Sequence, residues 1–339
     1  MKKHRVLALV HDHLVPPADT TGIDILEADW KMEYDVIETL REIGHEVHVL
    51  GTHDDLSGVR TAVEEFKPQI VFNLMEAFAD VTTFDQNVVS YLELLRLPYT
   101  GCNPRGLILA RDKALSKKLL AYHRIPVPDF TVVRHGRKPQ LSKKMRFPLI
   151  VKSLFFEASA GISQASVVEN PEQLAKRVHF IHENLGTAAI IERFVDGREL
   201  YVGVIGNERL ETLPVWEMSF DRMPENRWRI ATERVKWSTQ YQKRHGIMTD
   251  RARLEEPLNE RILRMARRAY RALDLNGYAR IDFRLDESGH PYVLEANPNP
   301  NLAYGEDFAE SAEVHGLPYE RLLDRILTLG LRWEPERTG

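Results

Sequence analysis

Two carboxylates and a carboxamide in the last quarter of the chain, Asp282, Glu295 and Asn297, are spaced to meet. They lie in the segment 278–297, which reads as strand, turn, strand. With Ser288-Gly289 as a two-residue loop, Glu287 pairs with His290, and the same register sets Asp282 against Glu295. Glu295 and Asn297 are two residues apart and share a face. Like charges directly opposite each other on a sheet are destabilising, and a divalent cation removes the conflict. Mg²⁺ prefers one or two carboxylates together with substrate phosphates. A solvated hairpin with paired surface charges is the competing reading. The neighbouring Ile281, Phe283, Val293 and Leu294 favour a buried strand pair.

Several cations stand where they could meet phosphate. Lys152 ends an apolar run, 147–151, and a strand that buries such a run and then turns a lysine inward suggests a phosphate contact. Alone, Lys152 reads as a snorkelling strand-end lysine. A small-residue loop follows at 157–163, and such loops bring backbone N–H groups close to phosphates. Lys113 shares a helix with Lys117 and Lys118, which by itself reads as a solvated face. Ile190-Ile191-Glu192-Arg193-Phe194-Val195 is an apolar strand running into a connector. It could offer backbone and apolar groups to adenine, with a carboxylate nearby for ribose hydroxyls, or it could be a plain sheet strand.

These residues need elements to hold them. In the N-terminal third, strands expected at 5–10, 45–50, 69–75 and from 98 alternate with helices at 30–43 and 88–97, and Gly44 stands at a helix C′ position. That order implies a parallel sheet with helical crossovers. Residues 15–27 contain Pro16-Pro17 and Thr20-Thr21-Gly22, a loop at the end of the first strand, where open α/β sheets bind ligands. Beyond Gly106 the pattern predicts one long helix over 107–124, a strand at 146–152 and a helix at 171–184 opened by Asn170 and Pro171. Strands follow at 188–195, 199–205, 213–220 and 278–285, with helices at 259–273 and 317–331.

Composition narrows the function classes. At 339 residues the chain suggests roughly two or three domains. Hydrophobic content of 43% and charged content of 28% are ordinary for a globular protein. A net charge of −4 leaves no basic excess for a nucleic-acid backbone. The single cysteine, Cys102, supports neither an internal disulfide nor a multi-thiolate zinc site, and a reducing cytoplasm is expected. The N-terminus is basic, but the apolar run 6–10 is too short for a signal segment. No stretch approaches the ~18 apolar residues of a membrane span. No G-x-G-x-x-G follows the first strand, against a dinucleotide-dependent oxidoreductase.

Taken in order, these pieces resemble the ATP-grasp superfamily and, within it, the D-alanine–D-alanine ligases. The resemblance covers nearly the whole chain from Pro98; the N-terminal part matches in its α/β pattern. Its most specific stretches are 100–128 with Asp112-Lys113, 147–163, 191–199 and 277–302. It implies an α/β, ATP-grasp fold of three domains: an N-terminal parallel-sheet domain (1–105), a small central α+β domain (106–187) and a C-terminal α+β domain with an antiparallel sheet and the metal site (188–339). It implies ATP and two Mg²⁺ ions, or Mn²⁺, as cofactors. Lys113 and Lys152 match lysines that contact ATP phosphate. Glu192, Arg193 and Val195 match the adenine-hinge contacts, with Phe194 and Leu294 beside them, and Glu199 matches a ribose-binding carboxylate. Lys236 resembles a mobile-loop lysine that closes over the γ-phosphate, here in a polar stretch with little apolar anchoring. Asp282, Glu295 and Asn297 match the magnesium ligands, and Arg280 matches the arginine that steadies the negative intermediate.

Three departures stand out. The Gly-Gly-x-Ser-x-Glu start that holds the first D-alanine is absent, and His11-Asp12-His13-Leu14-Val15-Pro16-Pro17 stands there instead. The phosphate-loop serine is replaced by Ala158, leaving Ser159 as the catalytic hydroxyl. The acceptor segment reads Asn299-Pro300-Asn301, then Gly305-Glu306-Asp307. The resemblance thus implies a complete ATP machinery with different substrate machinery: an ADP-forming carboxylate–amine ligase acting through an acyl-phosphate on small-molecule acids and amines. An authentic D-alanine–D-alanine ligase and a catalytically silent ATP-binding regulatory module are the alternatives. Homodimerisation is a family-level expectation.

Overall fold

The computed structural model describes residues 2–156, 159 and 161–335, with Trp237 described in its backbone alone. Three sheets carry the chain. The first is parallel: β1 (Arg5–His11), β2 (Glu46–Thr52) and β3 (Ile70–Asn73), in the order β2-β1-β3. β1 is apolar from Val6 to Val10 because both its faces are covered there. Val6 and Val10 pack with helices Lys31–Glu42 and Tyr319–Arg332, while Leu7 and Leu9 join the cluster around helix Glu256–Ala272. The C-terminal helix thus closes back over the N-terminal sheet. Gly330 permits this approach, since a Cβ there would lie 2.3 Å from the Tyr99 carbonyl oxygen.

The second sheet is antiparallel: β4 (Phe130–Val133), β5 (Leu149–Ser153), β6 (Val167–Val168) and β7 (Ala189–Arg193), in the order β4-β7-β5-β6. Helix Pro171–Leu185 covers it, burying Leu174, Val178 and Ile181 against Leu149, Val151 and Ile191. Its start follows the sequence pattern: Asn170 accepts from the Gln173 N–H at 2.9 Å and Pro171 opens the first turn. β7 completes this sheet from beyond the division at 187/188 expected from sequence.

The third sheet is antiparallel as well. It contains β8 (Arg198–Ile205), β9 (Glu211–Thr212), β10 (Trp216–Phe220), β11 (Ile247–Arg251), β12 (Tyr278–Leu285) and β13 (Pro291–Asn297), in the order β11-β10-β8-β12-β13 with β9 on β8. Val202, Val204, Ala279, Ile281 and Phe283 on one face pack on the Ile262, Ala266, Ala269, Leu273 stripe of helix Glu256–Ala272 and its C-terminal turn. Among the described residues no helix is long and apolar enough to cross a membrane.

Two local expectations are corrected. The long helix over 107–124 is two helices, Pro104–Arg111 and Lys113–Tyr122. Asp112 breaks them apart: its backbone is extended, and its carboxylate accepts from the N–H groups of Ala114 and Leu115, both at 2.9 Å. An aspartate offering its side chain to free N–H groups starts a helix rather than continuing one. The hairpin turn is also longer than two residues. Asp286 N–H donates to the His290 carbonyl at 3.1 Å, Glu287-Ser288-Gly289 form the loop, and Gly289 takes φ +77°. Leu285 therefore pairs with Pro291, one residue off the expected register. A β-bulge between Asp282 and Phe283 on one side and Glu295 and Val293 on the other restores the offset, so Asp282 does face Glu295. Segment 15–27 is loop except for a single tight turn of helix at Ile25–Glu27.

Candidate functional site

A cleft of about 610 Å³, open to solvent, lies where the second sheet faces the third. Each wall follows from strand alternation. On β12, Ala279, Ile281 and Phe283 go to the core, so Arg280, Asp282 and Arg284 take the opposite face. On β13 the bulge breaks the alternation. Val293 and Ala296 are buried in the core, and Leu294 and Glu295 both line the cleft. On the other wall, β5 and β7 contribute Lys152 and Glu192, and the connector after β7 adds Phe194 and Val195.

The electrostatics centre on Glu295 and Glu192. Lys113 Nζ lies 3.6 Å from Glu295 Oε2 and donates to the Phe156 carbonyl at 2.7 Å. Burial would raise the Glu295 carboxyl, but Lys113, Lys152, Lys236 and Lys117 outweigh it and hold it at about 2. Burial pushes the Asp282 carboxyl up, and Glu295 adds to that against the pull of Arg280. Arg280 grips Asp282 with two hydrogen bonds, 2.8 and 3.0 Å, and its guanidinium stands 4.6 Å over the Tyr201 ring. Asn297, across from Arg280, is half-buried and accepts from the Asn299 N–H at 2.9 Å. Two carboxylates and an amide oxygen form an oxygen-only donor set, which suits Mg²⁺ or Mn²⁺.

Glu192 is buried between two ammonium groups, Lys152 Nζ at 3.2 Å and Lys117 Nζ at 3.3 Å. Burial opposes its ionisation, yet the two lysines hold its carboxyl below the usual range. Burial likewise works against the Lys152 ammonium, and Glu192, Glu295 and Glu199 overcome it. Lys113, Lys117, Lys152, Arg193, Lys236, Arg280 and Arg284 meet Glu192, Glu199, Asp282 and Glu295, an excess of three positive charges suited to a polyanion.

The remaining expected residues fall around this core. Glu199 is engaged on both oxygens, by Tyr201 OH at 2.9 Å and Arg284 Nη2 at 3.1 Å. Phe194, Val195 and Leu294 form an apolar stretch of the lining with Ile150 and Ile230. The Arg193 guanidinium stacks 4.7 Å over the Tyr292 ring. Ser159 takes a left-handed backbone, φ +61°, and its hydroxyl donates to the Ala231 carbonyl at 2.7 Å. Its neighbours Glu157, Ala158 and Ala160 in the expected phosphate loop lie outside the described residues. Lys236 lines the cleft from the short helix Glu233–Trp237. That segment is not the weakly anchored stretch expected. Val235 is fully buried with Trp216, Met218 and Phe220, and Thr232 caps the helix.

Two residues escaped the sequence reading. Lys117 was grouped with a solvated face but is fully buried, and burial lowers its pKa more than Glu192 raises it. The signal was its spacing, four residues from Lys113 and so on the same helix face. Arg284 follows Arg280 and Asp282 at strand period two, so alternation placed it in the site; it donates to the Gly197 carbonyl at 2.8 Å.

Residues 119–328 match the family described as D-ala D-ala ligase C-terminus. Over 305 residues the chain is 32% identical to an uncharacterized protein of Sinorhizobium fredii, covering 88% of this chain and 86% of that one. It is 31% identical over 258 residues to the D-alanine–D-alanine ligase of Desulfotalea psychrophila, covering 75% and 77%. The structure of the Bacillus anthracis D-alanine–D-alanine ligase complexed with ATP superposes with a TM-score of 0.73 at 22% identity, covering 97% and 98% of the two chains. By the matched family and these relatives, the chain belongs to the D-alanine–D-alanine ligase family, as a divergent member with the ATP-grasp fold.

Proposed function

We propose that the chain is an ATP-dependent carboxylate–amine ligase that forms an amide through an acyl-phosphate and releases ADP and phosphate. The observation that carries this reading is the setting of Glu295. It lies opposite Asp282 and is held ionised by four lysines, two from helix Lys113–Tyr122 and one each from β5 and helix Glu233–Trp237.

Magnesium-bound ATP, with the metal at Asp282, Glu295 and Asn297, would supply the phosphoryl group that turns the donor carboxylate into an acyl-phosphate. Lys113, Lys152 and Lys236 hold the phosphate oxygens, on which charge accumulates during transfer. Glu192 fixes Lys152 and Lys117 in place. Phe194, Val195 and Leu294 take the flat apolar face of the base. Glu199, already bonded to Tyr201 and Arg284, keeps lone pairs for ribose hydroxyls. The amine nitrogen then attacks the acyl carbon, loses a proton, and the C–O bond to phosphate breaks. Arg280, kept rigid by Asp282 and Tyr201, faces the oxyanion of that tetrahedral step. The helix carrying Lys236 forms one wall of the cleft and would limit the access of water to the acyl-phosphate.

The test is a matrix of small carboxylic acids against amines, D-alanine included, assayed for ADP formation. ADP release that requires both partners supports the ligase. ATP binding with no substrate-stimulated ADP release across the matrix would replace it with a silent nucleotide-binding module.

A further inference from the structure

The C-terminal ends of all three parallel strands bring metal-binding side chains to one point. β1 ends at His11, which pairs in register with Thr52 at the end of β2, so His53 follows at the same level. The chain leaving β3 returns through a tight turn from Phe78 to Val81 that carries Asp80. Ala79 and Asp80 are both left-handed there, φ +51° and +59°, and the Ala79 N–H donates to the His53 carbonyl at 2.8 Å. That hydrogen bond fastens the turn to His53. Gly51 lets the chain after β1 lie flat on β2, because a Cβ there would come 3.1 Å from Asp12 Cα and 2.5 Å from Val15 Cγ2.

The resulting cluster is close-set. The His11 ring lies 4.2 Å from the His13 ring and 5.1 Å from the His53 ring, centroid to centroid. His53 Nε2 is 3.6 Å from Asp80 Oδ2. Two sets of possible ligand atoms, His11–Asp12–His13 and His11–His53–Asp80, each fall within 4.8 Å and share His11. His11 is only 7% exposed. Its buried Nδ1 lies 2.8 Å from Asp12 Oδ1, so the Asp12 carboxylate holds the ring in place beside His13 and His53. A carboxylate on one ring nitrogen is the usual way a metal-ligating histidine is oriented.

We propose that this cluster is a binding site for a divalent first-row transition metal. His11, His53 and Asp80 are the ligands, with Asp12 orienting His11 and His13 flanking it. Imidazole with carboxylate suits Zn²⁺, Co²⁺ or Ni²⁺, whereas the oxygen-only set at Asp282, Glu295 and Asn297 suits Mg²⁺. The end of a parallel sheet is also where α/β folds place ligands.

The test uses the full chain, stripped with a chelator and returned to excess Mg²⁺ so that oxygen-donor sites are filled. Zn²⁺ is then titrated against a chromophoric chelator. Wild type and Glu295→Gln should each withdraw one Zn²⁺ per chain. His53→Gln and Asp80→Asn, both at solvent-accessible positions, should lower that affinity by at least about 100-fold, the upper end for loss of a supporting metal contact. Co²⁺ in place of Zn²⁺ should give a visible absorption band that His53→Gln removes. Wild type failing to withdraw Zn²⁺ would overturn the proposal. So would retention of wild-type affinity by both His53→Gln and Asp80→Asn, or loss of binding in Glu295→Gln.

Discussion

Lys117 donates through Nζ to the carbonyl oxygen of Leu294, the extra residue of the bulge in β13. The helix Lys113–Tyr122 is thereby tied to the backbone beside Glu295, and the same ammonium supports Glu192. One buried cation thus supports both the strand irregularity that turns Leu294 and Glu295 into the cleft and the carboxylate that positions Lys152.

Lys117→Met should therefore destabilise the protein strongly. It leaves the buried Glu192 carboxylate with one partner instead of two, and breaking a buried pair by removing one member typically costs about 3–5 kcal/mol. Urea unfolding measures this. Adding Glu192→Gln to Lys117→Met should recover part of the loss, because the uncompensated charge is then gone. Equal stability of Lys117→Met and wild type would show that the contact is incidental.

Glu295→Gln should reduce ADP formation by at least about 100-fold, the scale for loss of a charged group at a phosphoryl-transfer site. The variant should also be less stable than wild type at neutral pH, because four lysines lose the carboxylate they hold ionised. Glu295 is held at about 2 by its lysines, so its contribution to stability is present above its unfolded pKa and is lost only as pH falls toward 2. From pH 5 to 9 the substitution should lower the rate by a constant factor and leave the profile's shape unchanged. Normal turnover by the variant with Mg-ATP would remove the metal reading.

The facing of Asp282 and Glu295 was legible in the sequence, though by a route that needed correction. The hairpin loop has three residues, not two, and only the bulge brings the acids back into register. Leu294 looks like any apolar strand residue, and nothing in its type announces a bulge. The break at Asp112 was legible in principle, as a capping aspartate, but the apolar positions on either side continue the helical pattern and conceal it. Spacing put Lys117 on the same helix face as Lys113, but only the second sheet packed against that face makes it buried. Strands β4 and β9 are short and incompletely buried, so their pattern is weak. Strands β1 and β3 of the N-terminal sheet were clear, because their covered stretches are apolar.

Glu33 gives a stability prediction away from the cleft. It sits in the first turn of helix Lys31–Glu42, 1% exposed, with neither carboxylate oxygen hydrogen-bonded. Burial raises its pKa to about 7. The folded state then binds the proton more tightly than the unfolded state. Stability is highest below the unfolded pKa, falls as pH rises through about 7, and levels off above it. The span is at most roughly 3 kcal/mol. Glu33→Gln should flatten this slope and be the more stable protein at pH 8. A wild-type stability that does not decline between pH 5 and 8 relative to Glu33→Gln would refute the assignment.

The acceptor side yields the last prediction, conditional on a donor–amine pair that supports ADP release. Tyr304 is fixed to the N-terminal region: its N–H donates to Asp35 Oδ2 at 2.9 Å, and its carbonyl accepts from Lys31 Nζ at 2.7 Å. This holds the following Gly305-Glu306-Asp307 in place. Glu306 occupies the position before helix Asp307–Val314 and is exposed, but its side chain makes no capping hydrogen bond, so capping does not account for it. Both acids lie within electrostatic reach of Arg280, the residue assigned above to the oxyanion. A second carboxylate brought in by an amino-acid acceptor would meet this negative pair, and a cationic acceptor would be drawn to it; specificity then comes from repulsion as much as attraction. Cationic or uncharged amines, such as a diamine or an amino sugar, should therefore outcompete D-alanine. Glu306→Ser should reduce that preference by about fivefold, the scale of one exposed charge at ~1 kcal/mol. Competition assays on both proteins, reading product amide by mass, decide it. Wild type preferring D-alanine, with Glu306→Ser unchanged, would show that the acidic pair plays no part in choosing the amine.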